Sequence, residues 1–417
     1  MEVKYTTQRL DHLGIVAGIC DEIGLVGQID RLVPAPRRQV SVGQAVKAII
    51  LNALGFVGRP LYLTPEFWDH KPVEMLIGPG ITADMLNDDS LGRALDALFD
   101  AGLTEVFAQV ASGALRHFGI EHRFVHLDFS SFHLHGEYDQ STQQTPGMIR
   151  ITQGYSRDHR PDLKQVVVAL ITSYRSALPC WIQALDGNTS DTRAVFPIVQ
   201  AYIQNLSAEK LPYFVVDSAL YSADNLHALA EVKWVSRVPK RLALEQYLER
   251  EVDVAAMQES AMEGYRYMEV GTWYGGVRQR WLVVYCEEAA RQDKEALAKA
   301  IQKEREKAEQ AMRRLARKTF SSKEALQEAV VQKARKSRYH KLTFTAKPRP
   351  RYRQRGRPPE DATPVRVDWR LTTWCIEEDN EAIKEAEARC GKFVLATNEL
   401  DEKTLSSEQM LEAYKGQ

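Results

Sequence analysis

Between residues 124 and 238, short runs of β-forming residues alternate with amphipathic helical segments, and this succession restricts the fold more than any other feature. Its order is three strands, a helix, a strand, a helix and a strand. Residues 166–171 are continuously apolar, as in a strand that is buried on both faces. Because strands linked by helices pack into sheets that those helices cover, the pattern predicts an α/β fold.

The first of these strands carries an acid near its centre. In residues 124–136, apolar and polar residues alternate around Asp128, as in a half-buried strand. Burial of an unpaired carboxylate at such a position would be costly, so the acid needs a reason to be there. Asp128 is either an ordinary turn or capping residue or a carboxylate that binds a divalent metal ion.

A second acid stands where a strand ends. Residues 211–226 contain a short β-rich run, then Asp217, a few small residues, and Ser222 as a plausible N-cap of a helix that extends to Val232. Open α/β sheets place their ligands where strand gives way to loop. If the two strands are neighbours, Asp128 and Asp217 could share a metal ion.

The composition is that of an ordinary globular protein of 417 residues, 44% hydrophobic and 27% charged, with room for two or three domains. The amino terminus lacks an apolar signal region, and no long apolar run occurs, so we expect neither secretion nor a membrane span. The five cysteines are scattered without a CxxC motif, which argues against a zinc site and a disulfide framework. We therefore expect a protein of the cell interior.

The formal net charge of −1 hides a strong asymmetry. Residues 331–357 contain eleven Lys or Arg and no Asp or Glu, which leaves the rest of the chain at about −12. This segment suits a polyanion, either through phosphate attraction or through AT-hook-like entry of residues 355–358 into a minor groove, although Gln354 replaces that motif's Pro. The candidate nucleic-acid-binding residues are Arg349, Arg351, Arg353, Arg355 and Arg357.

Residues 1–118 are predicted to be helical, with helices near residues 10–32, 41–56, 64–76, 89–101 and 104–118. Such a domain could bind DNA ends through a recognition helix, but helical spacing equally describes any bundle, and no basic recognition helix stands out. After residue 242 we expect a helix, a β-hairpin that turns at Gly275 and Gly276, and a charged helical hairpin. The prolines of residues 347–359 predict an extended segment.

Four blocks resemble the RNase H-like core of DDE transposases from bacterial insertion sequences, which are relatives of retroviral integrases. They are Leu127-Asp-Phe-Ser-Ser131, Gly154-Tyr-Ser-Arg-Asp-His-Arg-Pro-Asp-Leu-Lys-Gln165, Gly187-Asn-Thr-Ser-Asp191 and Val216-Asp-Ser-Ala-Leu-Tyr-Ser222. The resemblance implies an RNase H-like mixed sheet with an amino-terminal helical domain and a large α+β insertion before the last core strand. The expected limits are 1–118 for the helical domain, 119–240 for the first part of the core, 241–388 for the insertion and 389–417 for the last strand and helix.

The resemblance also implies a mechanism. In this family three carboxylates hold two Mg²⁺ or Mn²⁺ ions for an in-line phosphoryl transfer, and Asp128 and Asp217 match the first two ligands. The block of residues 154–165 would form part of the DNA-facing edge, although a charged turn explains it equally well. Its candidate DNA-contacting residues are Arg157, His159, Arg160 and Lys164.

The third acid of the family is a Glu on a helix that follows the last core strand. Residues 391–398 resemble that strand and residues 411–414 the opening of the helix, so we expect the third ligand to lie beyond Gln417. Glu408 and Glu412 are nearby substitutes, but each is expected to be a solvated helix residue. On this hypothesis the chain is truncated and binds DNA better than it cuts it.

Three functions remain open: a DDE transposase, an inactive DNA-binding derivative of one, and an unrelated RNase H-like nuclease. The first two imply duplex DNA, as terminal repeats and target, a homodimer on that DNA, and a cytoplasmic, nucleoid-associated location. A cluster of histidines near Asp128 could suggest a metal site, but their spacing lacks an HExxH pattern, so we expect structural roles. These are His122, His126, His133 and His135.

Overall fold

A computed structural model of the protein describes residues 7–54, 60–138, 148–156, 159–206, 210–353 and 363–416. The chain forms two compact units. The first comprises residues 1–236, 273–279 and 397–417, and the second comprises residues 237–272 and 280–396. In the described part of the chain, no helix combines the length and the apolar character needed to cross a membrane.

Helices open the first unit. They are α1 (Leu13–Glu22), α2 (Leu25–Leu32), α3 (Val42–Leu54), α4 (Thr64–Trp68), α5 (Val73–Leu76), α6 (Asp88–Ala101) and α7 (Leu103–His117), with 3₁₀ turns at Leu61–Leu63 and Ala83–Met85. The single helix expected over residues 10–32 is wrong, because Gly24 adopts a left-handed φ of 67° and separates α1 from α2. Ser41 and Gln44 form a reciprocal cap at the start of α3. Leu51, Trp68 and Leu91 lie in the shared core.

A mixed sheet completes the first unit. Its elements are β1 (Phe124–Leu134), β2 (Lys164–Ser173), β3 (Pro179–Leu185), α8 (Asp191–Asn205), β4 (Tyr213–Val216), α9 (Ala223–Ala228) and β5 (Trp234–Arg237). The strands lie in the order β3-β2-β1-β4-β5. β1 is antiparallel to β2, and β2 to β3, whereas β1, β4 and β5 are parallel. The predicted succession of elements and the RNase H-like mixed sheet are therefore confirmed.

The second unit contains helices, a second group of sheet strands and a separate two-stranded ribbon. Its elements, apart from residues 273–279 and Thr397, which belong to the first unit, are α10 (Ala243–Glu251), β6 (Gln258–Glu259), β7 (Tyr265–Tyr274), β8 (Val277–Cys286), α11 (Glu287–Ala316), α12 (Lys323–Ala334), β9 (His340–Arg351), β10 (Arg366–Glu378), α13 (Asn380–Ala388) and β11 (Lys392–Thr397). The chain then returns to the first unit with α14 (Ser407–Lys415). The predicted hairpin turns at Gly275 and Gly276, whose φ angles of 60° and 76° explain why both are glycine.

Strands β9 and β10 form the two-stranded ribbon, paired from His340 opposite Glu378 to Arg351 opposite Arg366 with one shift of register between Leu371 and Thr373. Its first half packs on α11 and α12 through a small core around Met312 and Leu326. The segment that was expected to be merely extended is instead paired as far as Arg351. Proline is tolerated here because each strand of a two-stranded sheet has a free edge toward which a residue without an N–H can face.

Two glutamates of α10 are fully buried in the second unit. Glu245 and Glu249 each have 0% of their surface exposed. Arg389 donates its Nε–H to Glu249 Oε2 over 2.9 Å, and no donor group among the described residues reaches either carboxylate oxygen of Glu245. We therefore expect a proton on Glu245 that is shared with a carboxylate oxygen of Glu249. Burial raises the pKa of Glu245 to about 8, and the neighbouring Glu249 adds to this effect through a hydrogen bond and through its negative charge.

This pair predicts a pH-dependent stability that Glu245→Gln removes. The raised pKa means that folded Glu245 stays protonated between its ordinary value of 4.5 and about 8, while the unfolded chain ionises. The free energy of unfolding should therefore fall by up to about 1.4 kcal/mol per pH unit across that window. Between pH 5 and pH 8, the Tm of Glu245→Gln should fall less with rising pH than the Tm of the wild type. Parallel pH profiles would contradict the shared proton.

Candidate active site

Asp128 lies on β1, and Asp217 is the first residue after the neighbouring strand β4. β1 and β4 run parallel with Leu127 opposite Val216, and the two aspartates are the next residues along each chain. Equivalent positions on adjacent parallel strands are about 5 Å apart and direct their side chains to the same face. Both aspartates are exposed, although the residues that precede them are buried. The backbone therefore places the two predicted acids directly after a pair of adjacent strand residues, with each acid exposed to solvent.

Local hydrogen bonds fix the turn that carries Asp217. Its Oδ1 accepts the N–H of Ala219 over 2.8 Å, and its backbone oxygen accepts the hydroxyl of Ser236 on β5 over 2.8 Å. Ser222 then caps α9 by accepting the N–H of Asn225, as predicted. This geometry holds the aspartate at the end of β4, where the fold leaves it facing solvent.

The sequence blocks of residues 154–165 and 187–191 pack closely against each other at the carboxyl end of β1. A Cβ atom on Gly187 would overlap the carbonyl oxygen of Gln165, and one on Gly154 would overlap the carbonyl oxygen of Gly187, so both positions require glycine. The buried amide of Gln165 donates to the Gly187 carbonyl over 2.7 Å. We had not singled out Gln165, although a polar residue at the start of a buried apolar strand is a usable signal.

The charged residues of the same block make local contacts. Arg160 forms a bidentate pair with Asp162 at 2.9 and 2.7 Å, and this partner lowers the pKa of the Asp162 carboxyl to about 2. Lys164 donates to the backbone oxygens of Glu137 and Tyr138. His159 is exposed with a left-handed φ of 57°. Arg157 lies outside the described residues. These contacts fit a charged turn, and the DNA-facing role of the block stays a prediction.

Three of the four histidines near Asp128 contact neighbouring side chains, whereas His135 is exposed. His122 contacts the hydroxyl of Tyr202, and His133 contacts the hydroxyl of Ser156 over 3.0 Å. His126 is buried and stacks on Tyr174, and burial lowers its pKa to about 4. A group of three or more His, Cys, Asp or Glu side chains that could hold a metal is not found among the described residues.

Glu412, a possible substitute for the third acid, lies away from the aspartate pair. Its carboxylate is 3.9 Å from Arg175, and it lines a cavity of about 270 Å³ with Phe124, the first residue of β1. Asp128 is four residues further along that strand, or about 13 Å. Glu408 lies in the first turn of α14 and is partly exposed. Asp128 and Asp217 nevertheless provide hard oxygen donors of the kind that Mg²⁺ and Mn²⁺ prefer.

The basic ribbon presents part of the predicted nucleic-acid surface. All residues of β9 from 347 to 351 are exposed, so both faces of the strand face solvent there. Arg351 and Arg366 both bind the buried carboxylate of Asp368, at 2.9 and 3.1 Å. Arg349 and Arg353 are exposed and have no ion pair with the described residues. Arg355, Arg357 and the AT-hook-like tetrapeptide lie outside the described residues.

Solved structures of two transposases share low similarity with this chain. One is the piggyBac transposase synaptic complex with hairpin DNA, with 8% identity and a TM-score of 0.27, in an alignment that covers 68% of this chain and 51% of that chain. Another is the Mos1 transposase paired-end complex with the left transposon end, with 13% identity and a TM-score of 0.19, covering 58% of this chain and 81% of that one. The chain thus spans about half the length of the piggyBac protein. No curated protein matches it significantly.

Family models account for most of the sequence. Residues 5–112 match a domain of unknown function, DUF4277. Residues 120–415, well over half of the chain, match the transposase DDE domain, and this range contains both aspartates of the site. The chain belongs to the DDE transposase family.

Proposed function

We propose that this protein is the transposase of an insertion sequence, which cleaves DNA strands at the ends of its element and transfers them to a target. The observation that supports this most strongly is the placement of Asp128 and Asp217 immediately after the paired residues Leu127 and Val216 on adjacent parallel strands. Phosphoryl transfer needs positioning and charge neutralisation more than covalent participation by the protein. Two exposed carboxylates, one within β1 and one at the end of β4, suit that task.

Asp128 and Asp217 would hold Mg²⁺ or Mn²⁺, with two ions in the working site. When bound, such ions supply Lewis-acid stabilisation to an in-line displacement at phosphorus. The chain itself holds the backbone at both aspartates: β1 is paired on both sides, and the turn after β4 is held by contacts with Ser236 and Ala219. This rigidity reduces the reorganisation needed when DNA arrives.

Duplex DNA, first as terminal repeats and then as target, would be the partner, with two copies of the chain assembled on it. The exposed arginines of the basic ribbon support this partner, because a two-stranded antiparallel ribbon can enter a DNA groove and β9 exposes both of its faces over residues 347–351. Arg349 and Arg353 have no competing ion pair with the described residues and are the best candidates for phosphate contacts.

Replacing Arg349 and Arg353 with alanine should weaken DNA binding in a salt-dependent manner. Each lost phosphate contact should reduce the slope of log K against log salt by about one unit. Fluorescence anisotropy with a labelled duplex, repeated over a range of salt concentrations, measures that slope. Lys341→Ala is the matched control: Lys341 is on the same strand, but its ammonium is paired with Asp379 at 3.0 Å. Equal slopes for the arginine variants and the wild type would reject the ribbon as a DNA contact.

A cleavage assay tests the proposed function. The purified chain is mixed with labelled duplexes that carry the DNA flanking its own gene, with and without Mg²⁺ or Mn²⁺. We expect metal-dependent nicks at defined positions in those flanks. Binding to the flanks without nicking would favour the alternative, an inactive DNA-binding derivative of a transposase. Cutting that ignores the flank sequence would favour a general nuclease.

A further inference from the structure

A cleft in the amino-terminal helical region gathers three arginines from distant parts of the sequence. It has a volume of about 410 Å³ and is lined by the loop between α2 and α3 and by the start of α6. Arg37 and Arg38 come from the loop, and Arg93 comes from the second turn of α6. The cleft lies within the range that matches the domain of unknown function.

The three guanidinium groups are available to a ligand. Arg37, Arg38 and Arg93 are exposed, and none of them forms an ion pair or a side-chain hydrogen bond with the described residues. Asp84 also lines the cleft, so the local charge remains positive by two. The amide of Gln39 adds an uncharged polar group to the lining. Planar guanidinium groups without local partners suit phosphate oxygens, which they can bind through paired N–H donors.

Backbone conformation independently singles out Arg37. It follows Pro36 in a turn and has a φ of 73°, in the left-handed region that side chains other than Gly and Asn rarely adopt. Glycine would fit this position without strain. An arginine in this strained conformation suggests that its side chain has a functional role, since the turn itself would be more stable with glycine.

We propose that this cleft binds the phosphodiester backbone of duplex DNA, and that the amino-terminal region thereby contributes a second DNA contact. The inference rests on the proposed function, which supplies DNA as the partner. The contact would carry no sequence information, because phosphates are the same in every sequence. The contact would position the chain along the duplex. Arginines from two separate segments would bind the phosphates, so that no basic recognition helix is needed.

The test uses the full-length chain and an unrelated 30-base-pair duplex, with anisotropy measured over a range of salt concentrations. Arg38→Ala and Arg93→Ala should each lower affinity about tenfold and reduce the salt slope by about one unit. The control Arg31→Ala, an exposed arginine in the last turn of α2 outside the cleft, should leave both unchanged.

Arg37→Gly separates binding from folding. Because glycine relieves the left-handed strain, this variant should keep or raise the Tm while losing about tenfold in DNA affinity. A lower Tm with wild-type affinity would overturn the proposal, as would unchanged affinity and salt slope in all three variants. If the wild-type chain itself fails to bind duplex DNA, both this proposal and the proposed function fall, whereas wild-type binding with unaffected variants removes the cleft alone.

Discussion

Asp128→Asn and Asp217→Asn are each expected to lower metal-dependent DNA cleavage by at least about a thousandfold. Asparagine keeps the size of the side chain but removes the negative charge that would hold a divalent ion. The two aspartates directly follow Leu127 and Val216, which are paired across adjacent strands. Loss of either carboxylate would therefore leave the other to bind the metal ion alone. Single-turnover cleavage of labelled duplex measures the loss.

The same variants should show a defect that does not depend on turnover. Binding of Mn²⁺, followed by the electron paramagnetic resonance signal of the free ion, should weaken at least about tenfold in each single variant. DNA affinity should stay the same or rise, because a negative charge near phosphates has been removed. Asp224→Asn, an exposed carboxylate in the first turn of α9, is the matched control and should behave as the wild type. Wild-type Mn²⁺ affinity in both single variants would refute the proposed site.

The sequence was sufficient to predict the sheet and its acids because those signals are local. Strand β1 alternates around Asp128, and the run before Asp217 is short, apolar and followed by a cap at Ser222, as the structure has it. The register that makes the two acids neighbours is a long-range property. The resemblance to a family predicts that register, whereas neither segment predicts it by itself.

Other features could not be predicted, because each depends on tertiary packing. The helix expected over residues 10–32 is divided at Gly24. Helices tolerate glycine, so its presence in the sequence does not by itself predict that the helix ends there. Glu245 and Glu249, spaced four apart on a helix, have the pattern of a solvated face, yet both are buried. Arg93 joins Arg37 and Arg38 only after α6 packs beside the loop that follows α2. No window of sequence contains these relations.

Arg389→Met is expected to destabilise the second unit by about 3–5 kcal/mol. Arg389 is the cation that faces the buried Glu249 carboxylate, with N···O distances of 2.9 Å, and it also lies 3.9 Å from Glu245. Lys392 does not substitute for it, because its ammonium donates to the backbone oxygens of Glu249 and Val252. Removal of Arg389 would leave a buried negative charge without compensation.

Arg250→Met provides the comparison that isolates this effect, because Arg250 follows Glu249 directly but pairs with the exposed Glu251 at 2.7 Å. Its loss should change the free energy of unfolding by no more than about 0.5 kcal/mol. Urea unfolding followed by tryptophan fluorescence distinguishes the two variants. Adding Glu249→Gln to Arg389→Met should restore much of the lost stability, since the uncompensated charge then disappears. If Arg389→Met is no less stable than Arg250→Met, the buried carboxylate pair does not depend on its arginine.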